Sequence, residues 1–138
     1  MKIDGRCHCG SITFEAEINL NDVLICHCTD CQTLSSTAFR TVVFTPEDSF
    51  SLRSRSLKTY VKIPDSGKER AQTFCPDCGT PIYSAAVNET RRLLGLRVGA
   101  IKQRAELVPI KQYWCGSAQP WVTGVESLDT LQTQEDWV

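Results

Sequence analysis

The 138-residue chain has no long hydrophobic run and no excess of positive charge, and each absence excludes a class of protein. A membrane-spanning helix needs about 18 or more consecutive apolar residues, and no such run occurs. The 15 Lys and Arg residues and 16 Asp and Glu residues give a net charge of -1, which argues against a nucleic-acid partner. The N-terminal sequence MKIDGRCHCG lacks the apolar core of a secretory signal. We therefore expect a cytoplasmic protein that binds neither membranes nor nucleic acid.

Short runs of β-branched and aromatic residues dominate the chain, and no long window has helical periodicity. Alternation is clearest in GSITFEAEI, which predicts a half-buried strand. Further β-rich runs occupy residues 23–28, 39–45, 56–63, 81–87, 92–101 and 107–114. Only residues 29–36 and 46–50 suit a short helix or turn, with Thr29 and Thr45 as caps. The sequence predicts one mainly β domain over residues 1–138, with few short helices and a loose C-terminal tail from about residue 128.

The chain is rich in cysteine: it has eight, and seven of them lie in three short groups. The groups are Cys7 and Cys9, then Cys26, Cys28 and Cys31, then Cys75 and Cys78, with Cys115 alone. Disulfides need an oxidising compartment, whereas such groups in a cytoplasmic chain are typical of metal thiolates. The cysteines therefore predict bound metal.

Two of the groups can combine into one closed zinc site. We expect Cys7 and Cys9 to lie on a strand, where residues i and i+2 project from the same face. Cys75 and Cys78 form a Cys-x-x-Cys turn, and both units are followed by Gly and a hydroxyl residue. Four thiolates complete the tetrahedral shell of a structural zinc, which contributes on the order of 10 kcal/mol to folding in small peptides.

The segment CHCTDC supplies three further thiolates, those of Cys26, Cys28 and Cys31. Three protein ligands leave one position of a zinc ion open to water or substrate, which is typical of catalytic sites. An alternative interpretation makes both sites structural, with His27 or Cys115 as the fourth ligand of the second. On a strand His27 would face away from its neighbours, so we expect it to hydrogen bond in the core. We expect Cys115, which has no neighbouring partner, to be a buried apolar residue.

Four segments are informative by their order and spacing, GRCHCGSITFEAE, CHCTDCQ, FCPDCGTPIY and AQPWV. On these segments the chain resembles the glutathione-dependent formaldehyde-activating enzyme family, which shares its domain with centromere protein V. The likeness covers about residues 5–122. It implies a zinc-stabilised, mainly β domain of the Mss4-like type. It also implies two zinc ions, a structural one on the four-cysteine set and a catalytic, more labile one on the three-cysteine set. Family members commonly carry Ser-Gly where this chain has Ser35 and Ser36, so we expect a differently shaped loop beside the second site.

The resemblance implies a carbon–sulfur lyase-type enzyme similar to S-(hydroxymethyl)glutathione synthase. Its partners would be a small-molecule thiol such as glutathione and a small aldehyde such as formaldehyde. Three thiolates on zinc suit this chemistry, because a substrate thiol can take the fourth position as a thiolate. The alternative is a non-catalytic zinc-binding module for a protein partner, which would need only the four-cysteine site. No motif indicates an oligomeric state.

Several side chains are candidates for proton transfer and substrate binding. His27, Thr29, Ser35 and Ser36 flank the second set of ligands and are candidates for the general acid or base. The carboxylates of glutathione suit Arg or Lys, and the candidates for this contact are Arg40, Arg53 and Arg55. The sequence does not choose among these residues.

Overall fold

Ten β-strands and one α-helix make up most of the regular structure in the computed structural model, which describes residues 1–135. The strands are β1 (Lys2–Arg6), β2 (Thr13–Glu17), β3 (Val23–Cys26), β4 (Arg40–Pro46), β5 (Phe50–Leu52), β6 (Lys58–Lys62), β7 (Arg70–Phe74), β8 (Pro81–Ala86), β9 (Leu93–Arg97) and β10 (Lys111–Tyr113). The helix α1 spans Thr29–Ser35, and short 3-10 turns include Glu47–Ser49 and Pro120–Ser127. The predicted mainly β class is confirmed. The end of the predicted C-terminal tail, residues 136–138, lies outside the described residues.

The strands form two sheets of unequal size. The small sheet has the order β1-β2-β5, and the large sheet has the order β10-β3-β4-β9-β8-β7-β6. Neighbouring strands are antiparallel except β10, which pairs in parallel with β3 and places Tyr113 opposite Cys26. Because β10 and β6 are the edges of the large sheet, β3, β4 and β9 lie in its interior. This order brings segments that are distant in sequence next to the cysteines of residues 26–31.

The hydrophobic core lies where the small sheet packs against one face of the large sheet. Ile3 and Phe14 of the small sheet belong to the same buried cluster as Val43, Ile82 and Leu96 of the large one. Alternation explains this arrangement, because β2 has the burial pattern exposed, buried, exposed, buried, exposed. Burial of these side chains is the main source of stability, at roughly 25 cal/mol per Å² of apolar surface.

The opposite face of the large sheet is more polar and lies near α1. Cys26 is paired in register with Arg40, and Val42, two residues further along β4, is paired with Arg97. Directly paired residues share a face of an antiparallel sheet, so Cys26, Arg40 and Arg97 project from the same side. The ion pair between Lys62 Nζ and Asp30 Oδ2, at 2.5 Å, joins β6 to the helix. This polar face therefore positions the candidate site.

Several local predictions were wrong. Cys7 and Cys9 lie in the turn between β1 and β2 rather than on a strand, since the chain reverses there and Gly10 adopts a φ of 83°. The N-cap of α1 is Cys28 rather than Thr29, because the Cys28 sulfur accepts the free backbone N–H of Cys31. Pro46 takes the position predicted for Thr45 before the 3-10 turn. Among residues 1–135, no helix has the length and apolar character needed to cross a membrane.

Candidate metal centres

Four cysteines from two separate turns form the first cluster. The sulfur atoms of Cys7, Cys9, Cys75 and Cys78 all lie within 4.8 Å of one another. One turn joins β1 to β2 and the other joins β7 to β8, so the cluster connects the two sheets. Its buried members are Cys7 and Cys75. The structure thus brings together the four residues that the sequence predicted as one ligand set.

Each of the two turns is closed by a backbone hydrogen bond from its glycine to the first cysteine of the pair. Gly10 N donates to Cys7 O at 3.1 Å, and Gly79 N donates to Cys75 O at 3.0 Å. Both glycines have positive φ, 83° and 74°, a conformation that L side chains rarely adopt. His8 N donates to Thr80 Oγ1 at 3.0 Å and so ties one turn to the other. The glycine after each cysteine pair therefore has the same role of closing the turn at positive φ, although the first turn is one residue shorter than the second.

The surroundings of the first cluster shift its thiol pKa values in different directions. For Cys9, hydrogen bonds from Ser11 favour ionisation, but the neighbouring thiols and burial outweigh them and raise the pKa. A hydrogen bond with the Thr80 hydroxyl lowers the pKa of Cys78 to about 5. For Cys7, burial opposes ionisation, but the Ile12 N–H and the neighbouring thiols outweigh it and lower the pKa. Thiolate is the form of cysteine that binds metal. Four sulfurs in this arrangement suit a tetrahedral metal ion.

The second cluster is formed by one short segment. Cys26 ends β3, Cys28 caps α1, and Cys31 lies in the first turn of that helix. Their three sulfur atoms lie within 4.8 Å of one another, and all three residues are half-buried. Cys31 N donates to Cys28 Sγ at 3.3 Å. Hydrogen bonding from Cys31 lowers the pKa of Cys26 to about 5, whereas the same interaction and burial raise the pKa of Cys31.

The two residues proposed to complete the second cluster lie outside it. His27 is buried, and its Nε2 lies 2.8 Å from Gln112 Oε1. Its ring packs edge-on against that of Phe39, with 5.6 Å between the ring centroids. The predicted core hydrogen bond of His27 is therefore confirmed. Cys115 is exposed, so its predicted burial was wrong: it follows the edge strand β10, where no further strand covers it. Within the described part of the chain, three metal-ligating side chains form this cluster.

A network of amides and backbone carbonyls holds α1 in place. Gln32 Nε2 donates to His27 O at 2.7 Å and to Ser117 O at 2.8 Å. Gln119 Nε2 in turn donates to Gln32 Oε1 at 2.7 Å. The C-terminal segment that follows β10 is thereby fixed against the helix that carries Cys31. Sequence reasoning missed Gln32, since nothing local indicates a partner 85 positions away.

The hydroxyl residues that flank the ligands have local roles in the backbone. Ser35 Oγ donates to Cys31 O at 2.6 Å, within the last turn of α1. Ser36 ends the helix in the left-handed conformation, with φ of 55°. Thr29 is exposed at the start of the helix. The Ser35 hydroxyl is therefore used in a hydrogen bond to the backbone at the end of the helix.

The structure distinguishes the three arginines that the sequence offered for carboxylate binding. Arg53 pairs with Glu15 at 2.8 Å, and Arg55 pairs with Asp77 at 2.7 Å, both on the surface. Arg40 is buried near the three-cysteine cluster, and burial lowers its pKa. A residue that sequence reasoning missed, Arg97, is buried beside it, and burial together with the charge of Arg40 lowers its pKa to about 9.

Comparisons with known proteins agree with this architecture. No curated protein matches the chain. A crystal structure of a Rhodobacter sphaeroides protein, from a structural genomics programme, superimposes with a TM-score of 0.61 at 17% sequence identity. The alignment covers 79% of this chain and 98% of that one, which indicates a shared fold. A sequence model described as glutathione-dependent formaldehyde-activating enzyme matches residues 2–117, which include both cysteine clusters. The chain therefore belongs to the glutathione-dependent formaldehyde-activating enzyme family.

Proposed function

We propose that the protein is a zinc-dependent carbon–sulfur lyase-type enzyme that makes and cleaves adducts between a small thiol and a small aldehyde. Family membership supports a function related to glutathione and formaldehyde. The observation that carries the proposal is the second cluster, where three half-buried cysteines offer one ligand fewer than a closed zinc site uses. The first cluster, with four sulfurs that join two sheets, suits a structural ion.

The donor sets fit zinc in both places, because thiolate sulfur is a preferred zinc ligand. Cys7, Cys9, Cys75 and Cys78 would hold the structural ion, and Cys26, Cys28 and Cys31 would hold the second one. A zinc ion there would supply a Lewis acid that lowers the pKa of a bound thiol. The cytoplasmic location and the Mss4-like relationship stay predictions from the sequence.

The protein's own residues would prepare the site for an anionic thiolate. The guanidinium groups of Arg40 and Arg97 supply positive charge near the cluster, and the contacts of Gln32 fix the helix that carries Cys31. In the forward reaction a carbon–sulfur bond forms between the thiol sulfur and the aldehyde carbon. The thiol proton is transferred in net terms to the former carbonyl oxygen, which becomes a hydroxyl group. The reverse reaction breaks the same bond and returns thiol and aldehyde.

The test is the rate of exchange between glutathione and its hydroxymethyl adduct, measured by NMR against enzyme-free buffer because the uncatalysed addition is fast. We expect the zinc-loaded protein to accelerate exchange and Cys31→Ser to abolish at least about nine-tenths of that acceleration. Cys115→Ser is the matched control, since this exposed cysteine lies outside both clusters. Full acceleration by Cys31→Ser would sink the proposal.

The alternative function is a non-catalytic zinc-stabilised module that binds a protein partner. The exposed indoles of Trp114 and Trp121 favour it, because exposed aromatic side chains are enriched at interfaces. It predicts that the protein gives no acceleration of exchange over buffer and that both clusters bind zinc without any effect of added thiol. The same NMR experiment therefore separates the two functions.

A further inference from the structure

Two arginines on the polar face of the large sheet lie beside the three-cysteine cluster without serving as ligands. Arg40 is opposite Cys26 in the β3–β4 register, and Arg97 is opposite Val42, two residues further along β4. Paired residues of an antiparallel sheet share a face, so both arginines project from the same side of the sheet as Cys26. The strand order therefore places two guanidinium groups next to the sulfur atoms.

Both guanidinium groups are buried and lack an anionic partner. Arg40 is 6% exposed and Arg97 is 8% exposed. Within residues 1–135, Nη2 of Arg40 and Nε of Arg97 have no hydrogen-bond partner, and the ion pairs involve other cations. Arg97 Nη2 donates to the neutral Gln72 Oε1 at 2.9 Å. Unpaired buried charge is costly, so donors of this kind indicate a place for an anion.

The charges of the site leave room for a ligand that carries two negative charges. Arg70 adds a third positive charge near Arg97, and it too has no carboxylate partner in the described part of the chain. With a divalent ion bound, the three thiolates and the ion would together carry one negative charge, which the three guanidinium groups exceed by two. A thiolate would compensate one of these charges. A carboxylate on the same molecule would compensate the other.

A pocket of about 230 Å³ provides space for such a group. Arg40 and Arg97 line it together with Leu34 of α1, Tyr60 and Phe74. The volume corresponds to roughly eight water molecules, which suits one carboxylate arm of a ligand. Guanidinium donors within a partly apolar pocket are typical of carboxylate recognition.

We propose that Arg40 and Arg97 bind the carboxylate of the thiol substrate, so that the site selects thiols that carry a carboxylate. The inference rests on the proposed function, because it assumes that the substrate sulfur is bound at the three-cysteine cluster. It assigns to these two arginines a role in substrate choice that is separate from holding metal.

The experiment compares 3-mercaptopropionate, which has a carboxylate, with 2-mercaptoethanol, a neutral thiol of similar size. The thiolate-to-metal absorption of the cobalt-substituted protein reports binding of each thiol. We expect 3-mercaptopropionate to bind at least about tenfold more tightly in the wild-type protein. Arg40→Gln is expected to remove this preference: 3-mercaptopropionate should be weakened at least about tenfold more than 2-mercaptoethanol, which loses only the contribution of the arginine charge to thiolate binding. Arg53→Gln is the matched control, since Arg53 pairs with Glu15 on the surface, and it should keep the preference.

A second readout is independent of thiol binding. In the zinc-loaded protein, the Nε–H resonance of Arg97, assigned with Arg97→Lys, should shift when propionate is added and stay unchanged with 2-mercaptoethanol. If both thiols bind equally well and propionate causes no shift, the arginine subsite is wrong and the thiol site stands. If propionate shifts the resonance but neither thiol changes the cobalt spectrum, the proposed thiol chemistry is wrong, and with it the role of the arginines in substrate choice.

A purely electrostatic role of the arginines gives a different result. If they serve only to balance the charge of the cysteine thiolates, Arg40→Gln will weaken both thiols by the same factor, which would overturn the proposal. Arg40→Lys keeps the charge but loses the planar pair of donors, and we expect it to retain only part of the preference. Should Arg40→Gln fail to fold, the wild-type comparison and Arg40→Lys still decide the question.

Discussion

Replacing Cys9 with serine tests whether the four-cysteine cluster stabilises the fold. Cys9 and Cys75 are 66 positions apart, and cross-linking a loop of that length stabilises a protein by about 4 kcal/mol in the chain-entropy relation. For a domain of this size such a loss lowers Tm on the order of 15 °C. Because Cys9 is exposed, the serine causes little loss of packing. We therefore expect Cys9→Ser to melt on the order of 15 °C below the wild-type protein.

The assay is thermal unfolding followed by circular dichroism, with the zinc content of each sample measured. Cys31→Ser is the comparison, because its cluster spans only residues 26–31 and the same relation gives about half the stabilisation for so short a loop. A Cys9→Ser protein that melts within about 3 °C of the wild-type protein, with less zinc bound, would refute the reasoning. If Cys31→Ser lowers Tm more than Cys9→Ser does, the three-cysteine cluster stabilises the fold more than the four-cysteine cluster.

Three further substitutions test individual contacts of the fold. Glu47→Gln should cost about 1 kcal/mol or less at neutral pH, because the bond from Arg92 lowers the pKa of Glu47. This difference from wild type in urea unfolding should be present above the unfolded pKa and disappear as pH falls through the folded one. Gly5→Ala should lower the free energy of unfolding by about 1–3 kcal/mol, because a Cβ there would clash with the ring of Phe14 in the core. Gly99→Ala is the control, since a Cβ there meets nothing within 4 Å, and it should lose less stability. Gln32→Ala should speed hydrogen exchange in the segment after β10 by at least about tenfold, because two backbone carbonyls lose their donor.

Each of these has an outcome that would contradict it. A stability difference for Glu47→Gln that persists unchanged into acid would exclude the carboxylate of Glu47 as its source. Equal stability of Gly5→Ala and Gly99→Ala would mean that the core around β1 has more space than the contacts indicate. Unchanged exchange in Gln32→Ala would mean that other contacts hold the C-terminal segment.

The strands that could be predicted from the sequence are those whose side chains face an apolar core. β2 and β8 were recognised from their apolar residues, and the structure buries Phe14 and Ile82 as expected. β7 was missed because its residues Gln72 and Thr73 are polar, although both are buried. Gln72 accepts a bond from Arg97, so its polarity is explained by a neighbour on another strand. Local hydrophobic pattern carries no information about such a contact.

The sequence by itself determined the two sets of cysteines that could hold metal, because thiolate chemistry depends on residue type and these cysteines occur in short motifs. Only the tertiary structure decided which arginines have no carboxylate partner and can bind a ligand near the cysteines. Arg53 and Arg55 form ion pairs with carboxylates on the surface. The strand register places Arg40 and Arg97 near the cysteines. The physical reason is that charge pairing depends on neighbours across strands. Those neighbours are fixed only when the whole sheet has formed.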